Sequence, residues 1–165
     1  MYDFKNLFVL DLANNHQGDE EHAKNIINKL RQAIGKVDIK CGIKFQFRDL
    51  DSFIHPEKRF KQSNKNIERF LSTELSWSKF ASLKAIVEKN NFKTICTPFD
   101  EPSVDKIIEM KFDIIKVASC SADDWPLLEK ITSSGLPIIA STGGLDLDQI
   151  DNLVSFFKHK GCDFA

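Results

Sequence analysis

The feature that most constrains this chain is a repeated alternation of a short β-branched apolar run with a segment whose apolar residues recur at helical spacing. Runs opening at Lys93, Asp113, Pro137 and Asp163 follow one another at steps of 20, 24 and 26 residues. That step accommodates one strand, one crossover helix and two short loops, and no two-residue hairpin turn interrupts it. Such alternation predicts a parallel sheet with helices packed outside it.

Strands are predicted over 7–12, about 39–47, 93–97, 113–118 and 137–140. Asp19 is a cap for a helix whose stripe is Ala23, Ile26, Ile27, Leu30 and Ile34. Later stripes are Phe80, Leu83, Val87, then Val104, Ile107, Ile108, then Leu127, Leu128, Ile131, and last Ile150, Leu153, Val154, Phe157. The exception is 48–73, polar and punctuated by His55-Pro56, Gln62-Ser63-Asn64 and Asn66, which reads as a long irregular loop with a functional role.

An open doubly wound sheet and part of a closed barrel both fit this pattern. The first turn, Asn14-Asn15-His16-Gln17-Gly18, lacks the G-x-G-x-x-G fingerprint of the former. Five strand–helix units and the opening of a sixth strand at Asp163-Phe164-Ala165 make about two thirds of a (β/α)8 barrel of roughly 250 residues. The expected fold is therefore α/β, an incomplete TIM barrel, with 1–165 as the N-terminal portion of one catalytic domain.

Composition narrows the function classes. With 23 basic and 24 acidic residues the net charge is -1, so no global field recruits nucleic acid or an anionic membrane. No apolar run approaches the roughly 20 residues of a membrane span, and the opening Met1-Tyr2-Asp3-Phe4-Lys5-Asn6 is not a secretion signal. Cys41, Cys96, Cys120 and Cys162 form no C-x-x-C pair, as expected of reduced thiols in a cytoplasmic protein.

In a barrel, chemistry sits where strands end. Those positions here are Asp11, Asn14, Asn15 and His16, then Lys44 and Gln46, Thr97, Lys116 and Ser119, and Ser141 and Thr142. All are polar, each closing an apolar run. Lys44 and Lys116 lie inside strands, where an unpaired ammonium is costly and calls for an anion or a lowered pKa. A pair gripping the phosphate and carboxylate of a small acid answers that need, with Thr97, Ser119 and Ser141 as neutral donors. The alternative for either lysine is a solvated stem or pairing with an inner acid such as Asp11. Asp11 is thus either a catalytic acid or base or a lysine's partner. Asp100, before Glu101-Pro102, reads as a helix cap, and Ser141-Thr142-Gly143-Gly144 is a turn whose amides can approach a phosphate. His16, His22, His55 and His159 show no metal-ligand spacing.

Taken in order, Asn15-His16-Gln17-Gly18, Lys44-Phe45-Gln46, Thr97-Pro98-Phe99-Asp100, Ile115-Lys116-Val117-Ala118-Ser119 and Ser141-Thr142-Gly143 resemble the sialic acid synthase family. That resemblance implies a (β/α)8 barrel followed by a small antifreeze-like domain, a homodimer, and condensation of phosphoenolpyruvate with an N-acetylated amino sugar for surface polysaccharide. It puts phosphoenolpyruvate against Lys44, Gln46, Thr97, Lys116, Ser119 and Ser141, with Asp11 and Lys116 as catalytic residues. It also implies a divalent metal, manganese or magnesium, on histidines beyond Ala165. The family usually has Glu where this chain has Asp11, a carboxylate shorter by one methylene. Two rival readings of the lysines are a Schiff-base aldolase and a non-catalytic phosphosugar-binding module on the same fold.

Overall fold

The computed structural model describes residues 1–59 and 64–165. Five strands, β1 (Leu7–Asp11), β2 (Lys40–Phe47), β3 (Lys93–Pro98), β4 (Ile114–Val117) and β5 (Ile138–Ala140), pair in sequence order, every pair parallel. The sheet curls into a half-barrel of the TIM type. A sixth strand begins beside β5: the Ile138 amide donates to Asp163 O and the Ala165 amide to Ile138 O.

Helices α1 (Glu20–Ile34), α5 (Trp77–Lys89), α6 (Glu101–Glu109), α7 (Trp125–Thr132) and α8 (Leu147–His159) cover the outside of the sheet. Local chemistry sets their starts. Asp19 accepts from the amides of Glu21 and His22, and Asp146 and Gln149 form a reciprocal capping box at α8. The core lies between helices and sheet. Ile43, Phe45 and Phe47 of β2, Cys96 of β3, and Ile115 and Val117 of β4 meet Leu83, Val87, Val104, Ile107, Leu127 and Ile131 there. Phe47 packs its ring against Phe80 at 4.7 Å, Trp77 at 5.1 Å and Phe112 at 5.4 Å. Removing so large and fully buried a ring would cost about 3–5 kcal/mol.

The opposite end of the sheet is pinned by Asp113, just before β4. Its carboxylate accepts from the Thr94 amide and hydroxyl, both at 2.8 Å, and pairs with Lys93 at 2.9 Å. Polar links at the N-terminal ends of barrel strands serve stability rather than chemistry.

Two expectations need correction. The described part of 48–73 is not irregular: it folds as α2 (Leu50–Phe53), α3 (Pro56–Arg59) and α4 (Lys65–Ser72). Its polar residues start helices rather than prevent them, as where Asn64 caps α4 by accepting from the Asn66 amide. Gln62 and Ser63, part of the same expectation, lie outside the described residues. Ile108, assigned to the buried stripe of α6, is exposed, because that stripe is satisfied by Val104 and Ile107.

Candidate functional site

Residues paired across neighbouring strands share a face of the sheet. The register aligns Asp11 with Lys44, Lys44 with Ile95, Gln46 with Thr97, Ile95 with Ile114, and Lys116 with Ile139. Asp11, Lys44, Gln46, Thr97 and Lys116 therefore all face the barrel interior, and Ser141 continues that face two residues past Ile139. The alternate residues, from Ile43 to Val117, build the core on the other side. Ile95 and Ile114 are fully buried beneath the polar residues as an apolar floor.

Lys116 is the best-defined of these groups. Its ammonium donates to the Ser141 hydroxyl and to the Val117 carbonyl, each at 2.6 Å. Burial, reinforced by the positive charge of Lys44, lowers its pKa from 10.5 to about 8. Lys44 pairs with Asp11 at 3.0 Å; its side chain is 12% exposed against 53% for the carboxylate. Of the two sequence readings of Asp11, the structure supplies the contact the ion pair requires. Thr97 is buried, and its hydroxyl has no hydrogen-bond partner among the described residues. Leaving a buried hydroxyl unmatched costs roughly 1–3 kcal/mol. Ser119 opens a single 3-10 turn after β4 and approaches the turn after β5: a Cβ built on Gly143 would meet the Ser119 hydroxyl at 3.8 Å.

The structure thus gathers Asp11, Lys44, Gln46, Thr97, Lys116 and Ser141 on one face, with Ser119 at its rim. What this arrangement can do is bind a small anion: two ammonium groups, of which only Lys44 meets a carboxylate among the described residues, stand beside hydroxyls over an apolar floor.

His16 is buried. Its Nδ1 accepts from the Gly18 amide at 3.1 Å, its Nε2 is unpartnered among the described residues, and burial lowers its pKa. Asp100 caps α6 through the Ser103 amide at 2.8 Å and also accepts from the Asp49 amide at 2.9 Å, so it ties the segment after β2 to α6. Burial raises its pKa against those hydrogen bonds. Among the described residues no three His, Cys, Asp or Glu side chains converge as a metal site requires. These residues do not fit a divalent cation.

Sequence reasoning missed Arg48. It extends the period-two series Lys44, Gln46, Arg48 one step past the last residue of β2, a signal present in the sequence. Its guanidinium lies 3.8 Å from the centroid of Phe99, 4.5 Å from Phe70 and 5.8 Å from Phe53. Both terminal nitrogens contact Gln46 Oε1 at 3.4 Å.

Residues 34–164 match the NeuB family. The chain is 34% identical over 151 residues to the protein MJ1065 of Methanocaldococcus jannaschii, covering 90% of this chain and 41% of that one. Among solved structures, spore coat polysaccharide biosynthesis protein E of Chromobacterium violaceum superposes with a TM-score of 0.94 and 44% identity, over 97% of this chain and 48% of that one. The N-acetylneuraminic acid synthetase of Leptospira borgpetersenii, solved in complex with citrate, gives 0.81 and 30% over 96% and 52%. The chain spans 41 to 48% of the length of the curated relatives it matches.

Proposed function

The chain belongs to the NeuB family, and on that footing we propose that it forms the phosphoenolpyruvate-binding half of a nonulosonic acid synthase acting in surface polysaccharide biosynthesis. The observation that carries the reading is Lys116, a half-buried ammonium fixed by Ser141 on the interior face and, among the described residues, in no ion pair. Lys116 and Lys44 neutralise the phosphate and carboxylate of the donor, and Thr97, Ser119 and Ser141 direct hydroxyls at its oxygens. Gln46 stands beside them against the donor.

In the proposed reaction the methylene carbon of phosphoenolpyruvate bonds to the aldehyde carbon of an N-acetylated amino sugar. Water adds to the former enol carbon and one of its protons goes to the aldehyde oxygen, which becomes a hydroxyl. The adduct then loses inorganic phosphate by breaking the bond between that carbon and the phosphate oxygen, leaving a ketone. Asp11, paired to Lys44 and open to solvent, handles the acceptor or the water. Charge stabilisation by preorganised donors is the contribution such a face makes best. A divalent metal, manganese or magnesium, belongs to the proposal as a group held outside the described residues. So do a cytoplasmic location, a homodimer and an antifreeze-like domain. No described helix is long and apolar enough to cross a membrane.

The Schiff-base aldolase remains as a second reading because a lysine with its pKa lowered to about 8 is also a better nucleophile. The hydrogen bond from Lys116 to the Val117 carbonyl favours the protonated, anion-gripping state. The two readings separate in one assay on the enzyme that carries this half-barrel. Phosphate released from phosphoenolpyruvate only when an N-acetylated amino sugar is present supports the synthase. A borohydride-trapped adduct on Lys116, without phosphate release, overturns it.

A further inference from the structure

We propose that Arg48 and Arg69 form a second anion subsite, separate from the lysine pair, and that it takes a phosphate or carboxylate carried by the acceptor sugar. The proposal rests on the synthase reading and adds to it the charge of the acceptor.

A cleft of about 680 Å³ opens beside Gln46 and is lined by Arg48, Arg69, Asn66 and Asn15. Both guanidinium groups sit against one ring: Phe70 lies 4.5 Å from Arg48 and 5.4 Å from Arg69. Stacking between Phe99, Phe70 and Phe53 holds the planar fork of Arg48 in place before any ligand arrives. Its donors are nevertheless largely unused. Nε is buried without a partner among the described residues, and the terminal nitrogens reach only Gln46 Oε1 at a long 3.4 Å.

Ion-pair partners are missing too among the described residues. Among the described residues neither guanidinium takes part in an ion pair, and residues 60–63, Phe-Lys-Gln-Ser, include no carboxylate. Asp100, the acid that acts on Arg48, already accepts from two backbone amides. Burial and the neighbouring Arg69 lower the Arg48 pKa to about 10, which leaves it charged at neutral pH. Two unneutralised guanidinium groups with free donors beside a cleft match an oxyanion, the group that Arg binds in bidentate fashion. Gln46 lines this cleft, whereas Lys44, Thr97 and Lys116 do not, so an anion held there is distinct from a donor gripped by the lysines and fits a group on the acceptor.

The test compares N-acetylmannosamine, its 6-phosphate and the corresponding uronate as acceptors for the enzyme carrying this half-barrel, with kcat/KM read from phosphate release. The expected result is a preference of at least about tenfold for one anionic sugar over the neutral one, the gain of a single charge-assisted contact. Whichever anionic sugar is preferred identifies the group. In Arg69→Ala, an exposed change that spares the aromatic stack, that preference falls toward unity; Arg48→Lys, which keeps the charge and loses the fork, reduces it as well. Equal use of neutral and anionic sugars by the parent, or a preference unchanged in Arg69→Ala, overturns the subsite. If no sugar gives phosphate release, the synthase reading falls instead. Calorimetry with the 6-phosphate then decides the subsite alone: binding weakened in Arg69→Ala keeps it, and equal or absent binding removes it.

Discussion

The Nζ of Lys116 lies 2.6 Å from the Oγ of Ser141, across the boundary between β4 and β5 and on the interior face of the sheet. That contact fixes the direction of a cation whose acceptors among the described residues are a hydroxyl and a carbonyl. Lys116→Ala in the complete enzyme is expected to weaken phosphoenolpyruvate binding by about 30-fold to several thousand-fold, the range for removing one partner of a desolvated charge pair. Calorimetric titration checks the affinity, and circular dichroism checks that the fold persists. Equal affinity in variant and parent would remove Lys116 from the site.

Asp11 and Lys44 answer a different question. Asp11→Asn keeps the size and one hydrogen-bonding oxygen but removes the charge that Lys44 meets at 3.0 Å. Turnover is expected to fall more than phosphoenolpyruvate affinity, because the freed ammonium still attracts the donor. Steady-state kinetics beside direct binding separates the two quantities. A joint loss of donor affinity and stability would make Asp11 purely the structural partner of Lys44.

Gly18 sits where the first turn passes beneath the segment after β2. Its φ is +76°, and a Cβ there would come within 2.8 Å of the Ser72 carbonyl oxygen, a backbone atom that cannot swing aside. Gly18→Ala is expected to destabilise the fold by about 1–3 kcal/mol, combining left-handed strain with that clash. Denaturant unfolding measures the loss, and protease cleavage within α4 should rise in parallel.

Asp100 tests the structural assignment of the strand-end acids. Asp100→Ala removes a helix cap and leaves the buried Ser103 amide and the Asp49 amide without acceptors. A loss of about 2–4 kcal/mol is expected from the cap and the unmatched donor together. Phosphoenolpyruvate affinity at temperatures where the variant is folded should be unchanged, and a selective loss of donor binding would instead make Asp100 part of the site.

That the polar strand residues share a face was legible in the sequence because strand geometry is local, whereas that this face is the barrel interior took the paired strands and the core on their other side. Lys44 and Gln46 stand two residues apart, and so do Lys116 and the apolar Ile114, so alternation alone puts each pair on one side of the sheet. Which strand residues align was not legible, since register is set by packing between β2, β3 and β4. The ion pair of Asp11 with Lys44 was therefore one of two readings until the strands were paired. Arg48 escaped for a related reason: Phe53, Phe70 and Phe99 come from three separate segments, and only the folded chain brings them around one guanidinium. The helices of 50–72 escaped because their caps are polar residues that also punctuate loops.

Whether Lys116 grips an anion on the interior face is decided by counting protons during phosphoenolpyruvate binding. With its pKa lowered to about 8, Lys116 is half deprotonated at pH 8 in the ligand-free protein. A bound anion raises that pKa, so binding should draw in protons, and affinity should fall as pH climbs above 8. The ligand itself contributes little, since a phosphate monoester with a second pKa near about 6 is already dianionic there. Calorimetric titration at pH 8 in buffers of different ionisation enthalpy should give an uptake of about half a proton per phosphoenolpyruvate, absent in Lys116→Met. Binding without proton uptake in the parent, or the same uptake in Lys116→Met, would mean that Lys116 does not hold the anion.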